Sequence, residues 1–92
     1  MISRFRVQRP DAELFHGQAE AALEVLAGRP GCRSTDLGQN VDDPELWTVV
    51  TRWDDIGSCR RALGSTEAKL TVVPLLSRAL DEPSGYEEPY GA

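Results

Sequence analysis

The hydropathy pattern of this 92-residue chain predicts an α+β fold in the order β-α-β-β-α-β, a four-stranded antiparallel sheet with its helices on one face. Three observations predict it. The run Leu46-Trp47-Thr48-Val49-Val50-Thr51-Arg52-Trp53 is aromatic and β-branched and stops against Asp54-Asp55, the composition of a strand that runs into a helix. Ile2 to Gln8 alternates with a period of two, with Ser3, Phe5 and Val7 on one face and Ile2, Arg4, Arg6 and Gln8 on the other. From Asp11 to Ala27 the pattern changes to helical period, with Leu14, Phe15, Ala19, Ala22, Leu23, Val25 and Leu26 on one arc and Glu13, Glu20 and Glu24 opposite.

The punctuation between these segments places the remaining elements. Pro10-Asp11 ends the first strand and offers a cap to the first helix, which Gly28 and Pro30 close. Gly31 to Asn40 is polar and compatible with a strand, and Val41-Asp42-Asp43-Pro44-Glu45 is a turn into the strong strand, so the two strands form a hairpin. Asp54 is expected to cap a short helix over Asp55 to Leu63. Gly64-Ser65 separates it from a helical run over Thr66 to Leu80, which must bend or restart at Pro74 because proline lacks the amide donor. Ser84-Gly85-Tyr86-Glu87 is the remaining strand candidate, a short last strand within an 82–92 tail. The order is the split β-α-β arrangement of the ferredoxin-like fold. No repeat or linker divides it, so residues 1–92 form one domain.

Composition narrows the function. A chain of this size buries only about 60% of its unfolded surface, so a partner copy that covers more apolar area is expected. A net charge of −5 with nine arginines and one lysine, and no block of like charge, argues against nucleic acid and against anionic membrane as partners. No apolar stretch approaches the ~20 residues of a membrane span and no signal core is present, so a soluble cytoplasmic protein is expected. Cys32 and Cys59 lack CxxC spacing and the chain has one histidine, so no metal site is expected and both cysteines are read as reduced core residues.

Parity along the strands then sorts the candidate residues. Trp47, Val49, Thr51 and Trp53 share one strand face. Trp53, at a strand-to-helix turn, either caps the core or packs on a flat aromatic substrate and donates one hydrogen bond. Phe15 belongs to the same interior. Arg4, Arg6, Val50 and Arg52 lie on the opposite face with Ile2, too mixed for a second core and too apolar for water, so a second copy of the sheet is its expected cover. The arginines there either pair with Asp36 or bind a phenolate or carboxylate. His16 borders the acidic face of the first helix near Glu20. Turned inward, it would be the one side chain with a near-neutral ordinary pKa able to deprotonate a phenol. Tyr86 and Tyr90 are placed to reach the partner copy or to cover a pocket entrance.

Arg4-Phe5-Arg6-Val7, Arg29-Pro30-Gly31-Cys32, Val41-Asp42-Asp43-Pro44, Val49 to Trp53 followed by an acid, and Val73-Pro74-Leu75-Leu76 together resemble the antibiotic biosynthesis monooxygenase superfamily of dimeric α/β barrels, over about Arg4 to Tyr86. The resemblance implies a homodimer with facing sheets and a cavity between sheet and helices in each subunit. It also implies, as one family activity, oxidation of a phenol or hydroquinone of polyketide type without a cofactor. The family's haem-degrading members carry an Asn, a Trp and an iron-ligating His at positions that fall near Ser3, Ala62 and Val72, so haem degradation is not expected. The family's Ser-Pro-His-Phe falls on Ser65-Thr66-Glu67-Ala68, which leaves Glu67, if buried, as an acid or base in place of the missing His. A non-catalytic dimer that binds a small aromatic is the alternative.

Overall fold

The computed structural model describes residues 1–89; Tyr90 lies outside them. Three strands form one antiparallel sheet: β1 (Ile2–Arg6), β2 (Cys32–Gln39) and β3 (Leu46–Trp53), with β3 in the centre in the order β1-β3-β2. A 3-10 turn at Arg9–Asp11 leads into α1 (Ala12–Ala27). The short helices α2 (Ile56–Leu63), α3 (Thr66–Thr71) and α4 (Val73–Leu76) follow β3. The α+β architecture, the β2–β3 hairpin and the central aromatic strand are as the sequence pattern predicts.

Register fixes which side chains enter the core. Ser3 pairs with Val49 and Phe5 with Trp47, while Ile2 pairs with Val50 and Arg4 with Thr48. The first set is buried beneath the helices, and the second faces away from them. The five core residues of α1, Phe15, Ala19, Ala22, Leu23 and Leu26, lie on one stripe and pack on that inner face, with Ala62, Ala68, Val72 and Leu75 from the later helices. At the α1–β2 turn Gly31 has φ 85, and a Cβ there would lie 2.4 Å from the Ser58 hydroxyl, so α2 approaches this turn as closely as glycine allows.

Four expectations need correction. The fourth strand is absent among the described residues: Ser84 to Glu87 is irregular, with Pro83 removing one amide donor just before it. Asp55, not Asp54, caps α2, its Oδ1 accepting the Ser58 N–H at 2.7 Å. Asp11 makes no side-chain cap for α1. The run from Thr66 restarts at Pro74 as expected, as two short helices separated at Val72, but it ends at Leu76 rather than Leu80. Both cysteines are free, Cys59 buried and Cys32 half-buried, and burial pushes both thiols up.

Candidate active site at the open edge of the sheet

A segment without strand geometry takes the place of the fourth strand. The Leu80 N–H donates to the Arg4 carbonyl and the Ile2 N–H to the Ser84 carbonyl, each at 2.8 Å, so residues 80–84 cross the free edge of β1 as a strap. Arg4 fastens it from the outer face: Nε and Nη2 donate to the two carboxylate oxygens of Glu82 at 2.6 and 2.9 Å. That bidentate hydrogen bond, and then the guanidinium charge, hold the Glu82 carboxyl below the usual carboxylate range.

Beside the strap lies a half-open pocket. A cavity of about 440 Å³ is bounded by Ser3 of β1, Leu63 at the end of α2, Leu76 of α4, and Leu80, Asp81 and Glu82 of the strap. It forms here because the inner face of β1 carries a small hydroxyl at Ser3 where a large side chain would fill the gap. The helices above also end early: Ser65 closes the α2–α3 corner, donating to the Ala62 carbonyl at 2.7 Å and capping Ala68 N–H, and Pro74 breaks the run that follows. The lining combines aliphatic side chains with hydroxyls and carboxylates, the mixture of apolar surface and a few polar groups found in small-molecule sites.

The residues singled out from sequence lie elsewhere. Phe15 stands between Phe5 and Trp47, ring centroids 5.0 and 5.5 Å away, in a tilted aromatic stack at the centre of the core. Trp47 Nε1 is buried without a hydrogen-bond partner among the described residues. Trp53 Nε1 donates to the buried Thr51 Oγ1 at 2.8 Å, so these two are joined to each other at the far end of β3. His16 is half exposed, its Nε2 3.1 Å from Glu20 Oε1, with its ring edge-on to Trp47 at 6.2 Å. Glu67 is exposed in the first turn of α3 and lines a separate cavity of about 460 Å³ with Glu24, Arg29 and Thr71.

The outer-face residues are together on the uncovered side of the sheet. Arg4 is taken by Glu82, and Arg6 Nη1 donates to Asp43 Oδ2 at 3.0 Å, rather than either pairing with Asp36 of the same chain. Val50 and the exposed Arg52 lie between them and β2, and Tyr86 is exposed with its hydroxyl donating to the Pro83 carbonyl at 3.3 Å. Ala62 and Val72, the positions of the haem-degrading members' Trp and His, are buried core side chains without an iron ligand. Among the described residues no three His, Cys, Asp or Glu side chains group as a metal site, and no helix is long and apolar enough to cross a membrane.

Sequence reasoning singled out neither the strap residues nor Leu63 and Leu76 as site residues. Ser3 was the available signal, a lone hydroxyl on the inner face of a strand that otherwise presents Phe5 and Val7.

The family model described as antibiotic biosynthesis monooxygenase matches residues 1–72. No curated protein matches the chain. Among solved structures, a conserved protein from Methanosarcina mazei Go1 is similar with TM-score 0.74 and 25% identity over 91% of this chain and 82% of its own. A Nitrosomonas europaea protein provisionally assigned to the antibiotic biosynthesis monooxygenases has TM-score 0.74 and 20% identity over 97% and 96% of the two chains. A point mutant of SnoaB, a cofactor-independent oxygenase from Streptomyces nogalater, has TM-score 0.73 and 23% identity over 86% and 80%.

Proposed function

Because the chain belongs to the antibiotic biosynthesis monooxygenase family, we propose that it oxidises a small aromatic, a phenol or hydroquinone of polyketide type, with O₂ and without a cofactor, in the cavity under the strap. The observation that carries this reading is the pocket beside the strap, of about 440 Å³, where Leu63, Leu76 and Leu80 stand opposite the Ser3 hydroxyl and the Asp81 carboxylate. The fold-level likeness to SnoaB supports the same activity class.

In this reading the substrate supplies the electrons. Deprotonation of a hydroxylated anthrone gives an anion that transfers an electron to O₂. The ring methylene loses both hydrogens, one oxygen atom becomes the new carbonyl, and the other leaves as water. The protein orients the ring between Leu63, Leu76 and Leu80 and excludes water. Ser3 donates a hydrogen bond to the phenolate oxygen, and Asp81, the lining carboxylate not committed to an arginine, accepts the proton.

O₂ consumption with a panel of hydroxyanthrones tests this. Uptake above buffer that is lost in Ser3→Leu and kept in His16→Ala supports the site under the strap. Uptake lost in His16→Ala or Trp53→Ala and kept in Ser3→Leu moves the chemistry to the base and indole platform expected from sequence. A rise in melting temperature with the same compounds and no uptake leaves the non-catalytic binding dimer.

The assembly in this reading is a homodimer formed by the outer sheet face. Ile2 is 39% exposed there and is paired in register with Val50 beside Arg4, Arg6 and Arg52, a mixture that a facing sheet covers while leaving the charges partnered. Val50→Glu introduces a carboxylate into that space and is expected to shift the protein toward monomer. Light scattering that returns a mass near 10.1 kDa for the wild type at micromolar concentration would overturn the dimer.

A further inference from the structure

We infer that pairing of two copies through the outer sheet face and closure of the strap are coupled, so that the pocket holds its full wall only in the dimer. The coupling presupposes the outer-face homodimer and gives that assembly a part in the site. Arg4 is the link. It leaves β1 on the same face as Ile2, which is paired in register with Val50 where a second sheet would lie. Its Nε and Nη2 donate to Glu82, and Glu82 lines the pocket together with Leu80 and Asp81.

Arg6, two residues along the same face, is neutralised in a different way. Its partner Asp43 belongs to the β2–β3 turn and is fixed there by accepting the Glu45 N–H at 3.0 Å, so Arg6 stays paired whatever the strap does. Arg4 is paired only while residues 80–84 lie along β1. A facing sheet that covers Ile2 and Val50 also takes water from around Arg4. With the strap closed it covers an ion pair, and with the strap open it covers a lone guanidinium at far greater cost. Dimerisation therefore penalises the open strap, and by reciprocity the closed strap tightens the dimer. In a single copy the two side chains are 47% and 32% exposed, and a solvated pair of that kind holds weakly.

Light scattering and amide exchange on the same samples of the whole protein test the coupling. Val50→Lys places a positive charge in the interface and, unlike a glutamate, cannot draw Arg4 away from Glu82. In that monomer the Leu80 N–H, which donates to the Arg4 carbonyl at 2.8 Å, should exchange about tenfold faster than in the wild-type dimer. The Val7 N–H, bonded to the Glu45 carbonyl at the other end of β1, should change by less than about twofold. Reciprocally, Glu82→Ala, at an exposed position, should raise the dimer dissociation constant about tenfold. Adding Arg4→Leu to Glu82→Ala should restore it, because the cost lies in the unpaired guanidinium.

Equal Leu80 exchange in the two states, a Val50→Lys protein that stays dimeric, a Glu82→Ala dimer as tight as wild type, or no rescue by Arg4→Leu would each overturn the inference. A wild-type mass near 10.1 kDa would remove the dimer and the coupling together. O₂ uptake by an anthrone with Leu80 exchange indifferent to assembly would keep the oxygenase reading and remove the coupling. Exchange that follows assembly, without uptake, would do the reverse.

Discussion

Ser3 and Phe5 leave the same face of β1 two residues apart, and they meet opposite kinds of interior. Phe5 is 2% exposed and sits against Phe15 in a stack that continues to Trp47. Ser3, itself only 5% exposed, borders a half-open pocket of about 440 Å³ at the strap. Both are backed by β3, so the difference comes from what lies above: a sixteen-residue helix with a continuous apolar stripe over Phe5, and the ends of two short helices, at Leu63 and Leu76, beside Ser3. Large aromatic side chains identify where this small protein is filled. The room for a ligand is where such side chains are missing.

The largest expected effect tests the filled half. Phe15→Ala removes the middle ring of the stack and leaves a void that α1 and the sheet cannot both close, at a cost of about 3–5 kcal/mol in urea unfolding. Leu63→Ala, on the cavity wall and only half buried, already lacks contacts on one side, so the same measurement should show roughly 1 kcal/mol. Equal losses at the two positions would mean that the cavity is closed in solution and that the contrast between the halves does not hold.

A smaller effect is expected at the far end of β3. Thr51→Val keeps shape but removes the acceptor for Trp53 Nε1, and should cost about 1 kcal/mol because the indole donor is partly shielded from water. Trp53→Phe leaves the Thr51 hydroxyl without its donor, so the double variant should cost less than the sum of the two single ones. Additive losses would show that the 2.8 Å contact contributes no coupling, leaving Trp53 free to serve a ligand instead.

Ser3→Leu sharpens the comparison from the hollow side. A leucine entering existing space should leave the unfolding free energy within about 1 kcal/mol of wild type while abolishing aromatic binding. At Phe5, by contrast, the direction is reversed, and Phe5→Ser empties volume the fold depends on. If Ser3→Leu unfolds the protein, the gap beneath the strap is narrower than about 440 Å³ implies.

The elements with local causes could be read from sequence. β3 matches its aromatic run residue for residue, and α1 and the β2–β3 hairpin follow from periodicity and from the turn at Asp42-Asp43-Pro44. The last strand could not be read, because residues 80–84 reach β1 through two backbone hydrogen bonds, at Leu80 and Ser84, and the Arg4–Glu82 ion pair, contacts between residues nearly eighty positions apart that leave no period in either segment. The cavity was hidden for the same reason. Trp47 and Trp53 drew attention by size and parity, yet their surroundings depend on how α1 and α2 close over the sheet. Ser3 was visible as a hydroxyl on an apolar face, and only the path of the strap turns it into a cavity wall.

The smallest effect concerns the fastening of that wall. Because the Arg4 hydrogen bonds and charge hold Glu82 below the ordinary carboxylate range, the folded protein binds a proton at this group less readily than the unfolded chain does. Its contribution is therefore present above the unfolded carboxylate value of about 4.3 and is lost as pH falls through the lower folded value. Asp43 and Asp55 are also held low, first by backbone hydrogen bonds to Glu45 and Ser58, and they respond to acid in the same direction. Comparing wild type with Glu82→Gln in parallel removes their share. The variant should unfold slightly earlier at neutral pH, with a difference that salt reduces, since both partners are solvated. In acid below the folded value the two proteins should coincide, because wild-type Glu82 is then neutral as well. A difference that persists unchanged in acid would place the effect in how glutamine packs against the strap, and the ion pair would no longer explain why residues 80–84 stay at the edge of β1.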